Sequence, residues 1–327
     1  MFEKRRVLVA LGTFDGLHLG HKKVLLSDTT EYDEKIALMF AEHPQKTLSG
    51  EVPGELITQT KRNDLLNEWG YTPVFLDFAE ISKLSPEEFV DKILVEKFNA
   101  TALCCGFNYR FGEGAKGDVG ILKMLCAERE IKLTVCEEVD IDGAPISSTR
   151  IRDCLKKGDI RTANKMLGRY FSYDFEVVHG DARGRILGSP TINQFFSENF
   201  TVAEYGVYAS FTIVNGKKYI SVTNIGVRPT IEGGSEKRSE TNIVGFDGDL
   251  YGQNIEVFLV EKLRGEMAFK SLDELSARIS ADREKATEII KSANAIQCTA
   301  CEYCIVNCPQ NIAIPKYFSL YNADLSE

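Results

Sequence analysis

Gly12-Thr13-Phe14-Asp15-Gly16-Leu17-His18-Leu19-Gly20-His21 follows the apolar run Val7-Leu8-Val9-Ala10-Leu11 and leads into helical patterning that reaches Ser27. A buried strand, a glycine-bearing turn and a helix start therefore succeed one another. Gly12 and Gly16 let the backbone approach a polyphosphate, and the helix start offers unpaired N–H groups and the positive end of its dipole. His18 and His21 are three apart and share one helical face, so both can donate hydrogen bonds to the same phosphate oxygens. Such a pair serves to stabilise charge on a phosphoryl group as pyrophosphate leaves.

Outward from this stretch, short apolar runs alternate with helical ones. Strands are expected at Arg6–Gly12, Lys35–Phe40, Pro73–Asp77, Ala102–Cys105 and Lys132–Cys136. Amphipathic helices fit His18–Ser27, Thr60–Gly70, Pro86–Phe98 and Gly117–Glu130. The alternation predicts an α/β doubly wound, mostly parallel sheet over residues 1–160, with ligands at the carboxyl ends of its strands. Beyond about residue 170 the pattern becomes β-branched and aromatic. Phe175–Gly180, Gly206–Val214, Lys217–Asn224, Thr241–Phe246 and Asn254–Leu263 are broken by Asn215-Gly216, Gly233-Gly234 and Asp247-Gly248. Short strands with such turns predict a small antiparallel β-barrel over 161–293. Ser271 caps its closing helix, which runs to about Ala293. Residues 294–327 stand apart as a short Cys-rich tail.

The 327 residues carry a net charge of −9, which argues against a nucleic-acid groove. Small anionic ligands remain compatible, because a few local Arg and His residues decide those. No stretch approaches the ~20 apolar residues that span a bilayer, so no membrane association is expected. Met1-Phe2-Glu3-Lys4-Arg5-Arg6 leads only into the short first strand, not a signal peptide, and the expected compartment is the cytosol. Nine cysteines occur. Cys104, Cys105, Cys126, Cys136 and Cys154 lie in apolar segments and read as small core side chains.

Three further segments follow in order: Phe40-Ala41-Glu42-His43-Pro44, then Gly106-Phe107-Asn108-Tyr109-Arg110-Phe111-Gly112 with Gly117-Asp118, then Ile146-Ser147-Ser148-Thr149-Arg150-Ile151-Arg152. Ser147, Ser148 and Thr149 are hydroxyls at a helix start, and Arg150 adds a guanidinium for an anion. With the first stretch they resemble the FAD-synthetase module of the bacterial bifunctional riboflavin kinase/FAD synthetases. The resemblance implies His18 and His21 as catalytic residues. It implies Gly12, Phe14, Gly16, His43, Asn108, Arg110, Gly112, Ser147, Ser148, Thr149 and Arg150 as ATP- and flavin-binding. The implied reaction is attack of the FMN phosphate on the α-phosphorus of ATP, giving FAD and pyrophosphate. Positioning and charge neutralisation with Mg²⁺ suffice for it.

Gly180-Asp181-Ala182-Arg183-Gly184-Arg185-Ile186-Leu187-Gly188 leads to Pro190-Thr191-Ile192-Asn193. Thr191 and Asn193, two apart, face the same side of an extended segment, and their oxygens suit Mg²⁺. No G-x-x-x-x-G-K-[ST] phosphate loop occurs. Together with Tyr205-Gly206-Val207-Tyr208, Asn224–Thr230 and Asp249-Leu250-Tyr251-Gly252, the segment resembles the riboflavin-kinase barrel of the same family. The resemblance implies MgATP on Thr191 and Asn193, with Gly180, Arg185 and Gly188 around the nucleotide. It also implies Glu240 as the base that activates the riboflavin hydroxyl, and Arg264 on the flavin side. The chain departs from the family at Asn242, where His is usual, and at Val244-Gly245, where an apolar–acidic pair is usual. Asn keeps a hydrogen-bonding side chain but carries no charge.

Cys298, Cys301, Cys304 and Cys308-Pro309 spell C-x2-C-x2-C-x3-C-P, the spacing that ligates iron–sulfur clusters. Residues 298–322 resemble the iron–sulfur tail of some aldo-keto reductases. A [4Fe-4S] cluster, Zn²⁺ or a site without metal are the open readings. In two-cluster ferredoxins the fourth cysteine serves the other cluster, so Cys308 folds back or another cysteine completes the set. The expected ligands are ATP, riboflavin, FMN and FAD, with a redox or flavoprotein partner through the tail. The rival readings are a flavin- and Fe–S-binding electron carrier, or an enzyme with one active half.

Overall fold

The computed structural model describes residues 5–41, 52–180, 191–229 and 235–294. The chain divides into one unit of Met1–Asp174 with Ser197–Ala203, and another of Phe175–Phe196 with Glu204–Glu327. In the first unit, β1 (Val7–Leu11), β2 (Glu34–Phe40), β3 (Thr72–Leu76), β4 (Ala102–Gly106) and β5 (Lys132–Cys136) run parallel in the order β3-β2-β1-β4-β5. The order reverses around β1, so a crevice opens at the carboxyl ends of β1 and β4.

Alternation along β1 feeds two cores. Val7, Val9 and Leu11 pack with Leu94, Leu103 and Leu122 on one face, and Leu8 and Ala10 with Leu17, Val24 and Tyr71 on the other. The flanking helices include α1 (Leu19–Leu25), α2 (Gln59–Glu68), α3 (Val119–Glu128), α4 (Ser148–Lys156) and α5 (Ile160–Leu167). The helix expected over Pro86–Phe98 begins with a Ser85–Glu88 capping box and then winds as a π-helix over Phe89–Lys97. That winding buries Phe89, Val90 and Leu94. Cys104, Cys105, Cys126 and Cys136 are buried and Cys154 half-buried, all as free thiols. Burial pushes the Cys104 and Cys105 thiols up to about 12, which keeps them inert.

In the second unit, β6 (Thr191–Phe195), β7 (Gly206–Val214), β8 (Lys217–Pro229), β9 (Ser235–Ile243) and β10 (Glu256–Arg264) pair antiparallel in the order β10-β7-β8-β9-β6. Helix α6 (Leu272–Asn294) follows, with the Ser271 hydroxyl accepting from the Glu274 N–H at 3.2 Å. The strand expected over Phe175–Gly180 is reduced to isolated bridges of Glu176 with Asn254 and Val178 with Asn193. Two further strands differ from expectation: β8 continues past Asn224, and β9 covers Ser235–Ile243 rather than Thr241–Phe246. The cause is a polar interior. Ser210, Thr212, Ser221, Thr223, Ser239 and Thr241 are all fully buried. Ser210 bonds to Ser221 and Thr223, each at 2.8 Å, and Thr223 to Thr241 at 2.9 Å. Hydroxyls replace hydrocarbon on the inward face of β9, so its sequence lacks the apolar alternation that marks a strand. The parallel α/β and antiparallel domains are thus both present; the cysteine tail lies outside the described residues.

Candidate active sites

The turn from β1 to α1 is held in an unusual backbone path. Phe14 (φ 48) and Leu17 (φ 42) sit in the left-handed region, which side chains tolerate only when packing over-determines them. Both are buried. The Phe14 ring folds back over Gly12, where an added Cβ would lie 3.1 Å from it. At Gly16 (φ +77) a Cβ would meet Leu56 at 3.0 Å.

This path delivers the two histidines. His18 caps α1, its Nδ1 accepting from the His21 N–H at 3.3 Å. The proton of neutral His18 therefore resides on Nε2, the ring's donor toward a ligand. The two imidazoles stack with centroids 3.6 Å apart at 15°, and Phe14 meets His21 edge-on at 5.5 Å. Burial, then the Arg169 charge, lowers His18 to about 4. Burial also holds His21 well below the usual range, aided by His18, Arg169 and Arg62. Near neutral pH the pair is uncharged: it donates hydrogen bonds but supplies no cation.

The start of α4 is tied to the same turn. Ser147 caps the helix by accepting from the Arg150 N–H at 3.2 Å, and the Ser148 hydroxyl donates to the Asp15 carbonyl at 2.9 Å. Thr149 is exposed. The Arg150 guanidinium donates to the carbonyls of Ile141, Ala144 and Pro145 at 3.1, 2.7 and 3.1 Å, which fastens it to the Asp140–Ile141/Ala144–Pro145 hairpin. Arg152 pairs with the buried Asp15 carboxylate and donates to the Gly54 carbonyl at 2.7 Å. The Leu56 N–H reaches Asp15 at 3.3 Å. Asn108 and Arg110 are exposed beyond β4, with Arg110 3.7 Å from Asp118. Gly112 (φ +73) lets the loop pass Pro86, whose N would lie 3.0 Å from a Cβ. His43 lies outside the described residues.

The second constellation is built by strand register. In β6 and β9, Thr191 lies opposite Asn242 and Asn193 opposite Glu240. Directly opposed residues project to one face, so all four form one polar patch, extended by Asn224 of β8 opposite Glu240. Arg238 holds Glu240 at 2.5 Å, and Arg283 of α6 donates from Nε to the Asn242 Oδ1 at 2.8 Å. Gly180 makes room for Asn193, since a Cβ there would lie 2.3 Å from its Nδ2. A cradle without a Cβ, a hydroxyl and an amide oxygen form a donor set compatible with Mg²⁺. Arg264 donates to Asp282 of α6 at 3.0 and 2.8 Å, so its charge is paired. Arg185 and Gly188 lie outside the described residues.

Two cavities of about 320 Å³ flank the patch. One is lined by Val177, Ile192, Thr241, Phe246, Asp249, Leu250 and Tyr251. The other is lined by Val207, Val222, Asn224, Glu240, Asn242, Arg264, Met267, Phe269, Leu275 and Ile279. Thr191 borders both. Among the described residues no group of His, Cys, Asp and Glu is arranged to hold a metal ion; the cysteine run is not among them.

Sequence reasoning did not single out Arg62, Arg169, Arg238 or Arg283. Arg169 donates to the Gly16 and Leu17 carbonyls at 2.8 and 3.1 Å. Each is an ordinary surface-type residue in sequence, and only its burial or its partner marks it.

Residues 2–150 match the FAD synthetase family and residues 167–290 the riboflavin kinase family. A bifunctional riboflavin kinase/FMN adenylyltransferase of Buchnera aphidicola subsp. Schizaphis graminum is 34% identical, over 84% of this chain and 91% of its own. That of Bacillus subtilis is 33% identical over 87% and 92%, and that of Escherichia coli K12 31% over 86% and 92%. A solved Streptococcus pneumoniae structure, described as a macrolide-efflux protein, superposes with a TM-score of 0.78 at 29% identity, covering 87% of this chain and 94% of its own. Among the described residues of the present chain, no helix is long and apolar enough to cross a membrane.

Proposed function

The chain belongs to the family of bifunctional riboflavin kinases/FMN adenylyltransferases, and from that premise we propose that its second unit converts riboflavin and ATP to FMN and ADP, while its first converts FMN and ATP to FAD and pyrophosphate. The observation that carries the reading is the in-register patch of Thr191, Asn193, Glu240 and Asn242 between two cavities, in a different unit from the stacked histidines.

In the second unit, the nucleotide takes the cavity beside Tyr251 and the flavin the one beneath α6, whose Met267, Phe269, Leu275 and Ile279 suit an apolar ring system. The ends of both ligands then meet at Thr191. Glu240, oriented by Arg238, accepts the proton of the terminal ribityl hydroxyl. As that oxygen bonds the γ-phosphorus, the bond to the β-phosphate oxygen breaks and ADP leaves. Thr191 and Asn193 would hold Mg²⁺, which supplies neutralisation of phosphate charge.

In the first unit, an FMN phosphate oxygen attacks the α-phosphorus of ATP and the bond to the β-phosphate breaks. His18 and His21 donate hydrogen bonds to the phosphate oxygens as neutral imidazoles, and the amides at the start of α1 add their dipole. Incubation with riboflavin and MgATP tests the whole reading. FMN should appear first and FAD after it, with one ADP released for each riboflavin phosphorylated and one pyrophosphate for each FAD formed. Flavin that is bound but unchanged would favour the electron-carrier reading instead; FMN formation alone, or FAD formation only from supplied FMN, would leave one active half.

For Cys298, Cys301, Cys304 and Cys308 the spacing supports a [4Fe-4S] cluster, with Zn²⁺ or a site without metal as the alternatives, and adjacency to a flavin-making enzyme suggests a redox or flavoprotein partner. Iron and sulfide analysis after anaerobic purification separates the two metals.

A further inference from the structure

The neutral histidine pair leaves the triphosphate's charge unmet, and the surrounding arginines differ in what they can offer. Arg152 is neutralised by Asp15. Arg150 is fastened to hairpin carbonyls, and Arg169 to those of Gly16 and Leu17. Arg110 is exposed and faces Asp118. Arg62, in the first turns of α2, is different. Its side chain is only 11% exposed, and its buried Nε has no hydrogen-bond partner among the described residues. Among the described residues its ion-pair partner is Glu55, 3.9 Å away, beyond hydrogen-bond distance and itself 48% exposed. The neighbouring residue Leu56 contacts the histidine-bearing turn through its N–H to Asp15. Among the described residues the His21 Nδ1 is a second buried polar atom without a partner, and the Arg62 charge acts on that ring.

A buried guanidinium N–H left without an acceptor is costly unless a ligand completes it. We propose that Arg62 is the cation that receives the β- and γ-phosphates of ATP in the first unit and neutralises the pyrophosphate as it leaves. This rests on the adenylyl-transfer reading of that unit. Electrostatics agree with the placement, since the Arg62 charge reaches His21 and helps hold its imidazole neutral. A guanidinium also presents a fork that matches two phosphate oxygens at once.

The test compares wild type with Arg62→Met and Arg62→Lys in the full chain, assaying FAD formation from supplied FMN and inhibition by inorganic pyrophosphate. In Arg62→Met, kcat/KM for MgATP should fall by about 10²-fold, and the pyrophosphate inhibition constant should rise at least ~10-fold, the size of one lost charged contact. The KM for FMN and the rate of riboflavin phosphorylation should stay near wild type. Arg62→Lys should recover part of both losses, because it restores the charge without the fork. An unchanged pyrophosphate constant overturns the inference, as does a parallel loss of FMN and pyrophosphate binding, which would mark a merely structural role. Should Arg62→Met fail to fold by thermal melting, Arg62→Gln carries the same comparison. A wild-type chain that makes FAD but is indifferent at Arg62 sinks only this inference; one that makes no FAD sinks the underlying reading too.

Discussion

The two units gather phosphate-handling groups by opposite means. The first concentrates them in contiguous chain, where one turn and one helix start supply glycines, amides and both histidines between Gly12 and His21. The second assembles its patch from residues about fifty apart, brought face to face by the pairing of β6 with β9. The difference teaches where each site is vulnerable. A contiguous site depends on local backbone path, whereas a cross-strand site depends on register, and a slip of one residue would turn every side chain to the other face.

The sharpest way to break the comparison is Glu240→Gln. It keeps the shape of the patch but removes the proton acceptor, and should lower FMN formation by ~10²–10⁴-fold while FAD formation from supplied FMN persists. His21→Ala should do the converse, lowering FAD formation by ~10²–10³-fold with riboflavin phosphorylation spared. If either substitution abolished both reactions in a folded protein, the independence of the two sites would be wrong.

Gly180→Ala probes register-borne positioning more gently. Its Cβ would press on the Asn193 amide, and riboflavin phosphorylation should fall by ~10–10²-fold, with FAD formation unaffected. The smallest effect is on stability. His18 titrates near 4 in the fold against 6.5 for the free side chain. Between those values the unfolded chain binds a proton that the folded one refuses, so stability falls as pH drops through that window and is complete above it. Thermal midpoints followed across the same window should decline less steeply in His18→Gln than in wild type.

How much was legible follows the same division. Strands β1, β2 and β4 announce themselves as short apolar runs because their sheet is covered on both faces. The Gly12–His21 stretch is readable because its chemistry and its backbone path lie in one piece of chain. Thr191 and Asn193 were readable as neighbours on one face, but their pairing with Asn242 and Glu240 was not, since register belongs to the folded sheet. Strand β9 was misplaced because one side carries site residues and the other carries hydroxyls, leaving no hydrophobic period to find. Arg62 follows Lys61 in a polar helix, and nothing in the sequence separates it from solvated surface charge; only its burial distinguishes it.

The hydroxyl ladder from Ser210 to Thr241 has a thermal consequence. Melting a domain that buries a row of hydroxyls beside its hydrocarbon uncovers less of the surface that raises heat capacity. Its increment should therefore fall below the roughly 12–15 cal/mol/K per residue of ordinary domains. Of the two units, the one that carries the ladder should have the flatter dependence of folding free energy on temperature.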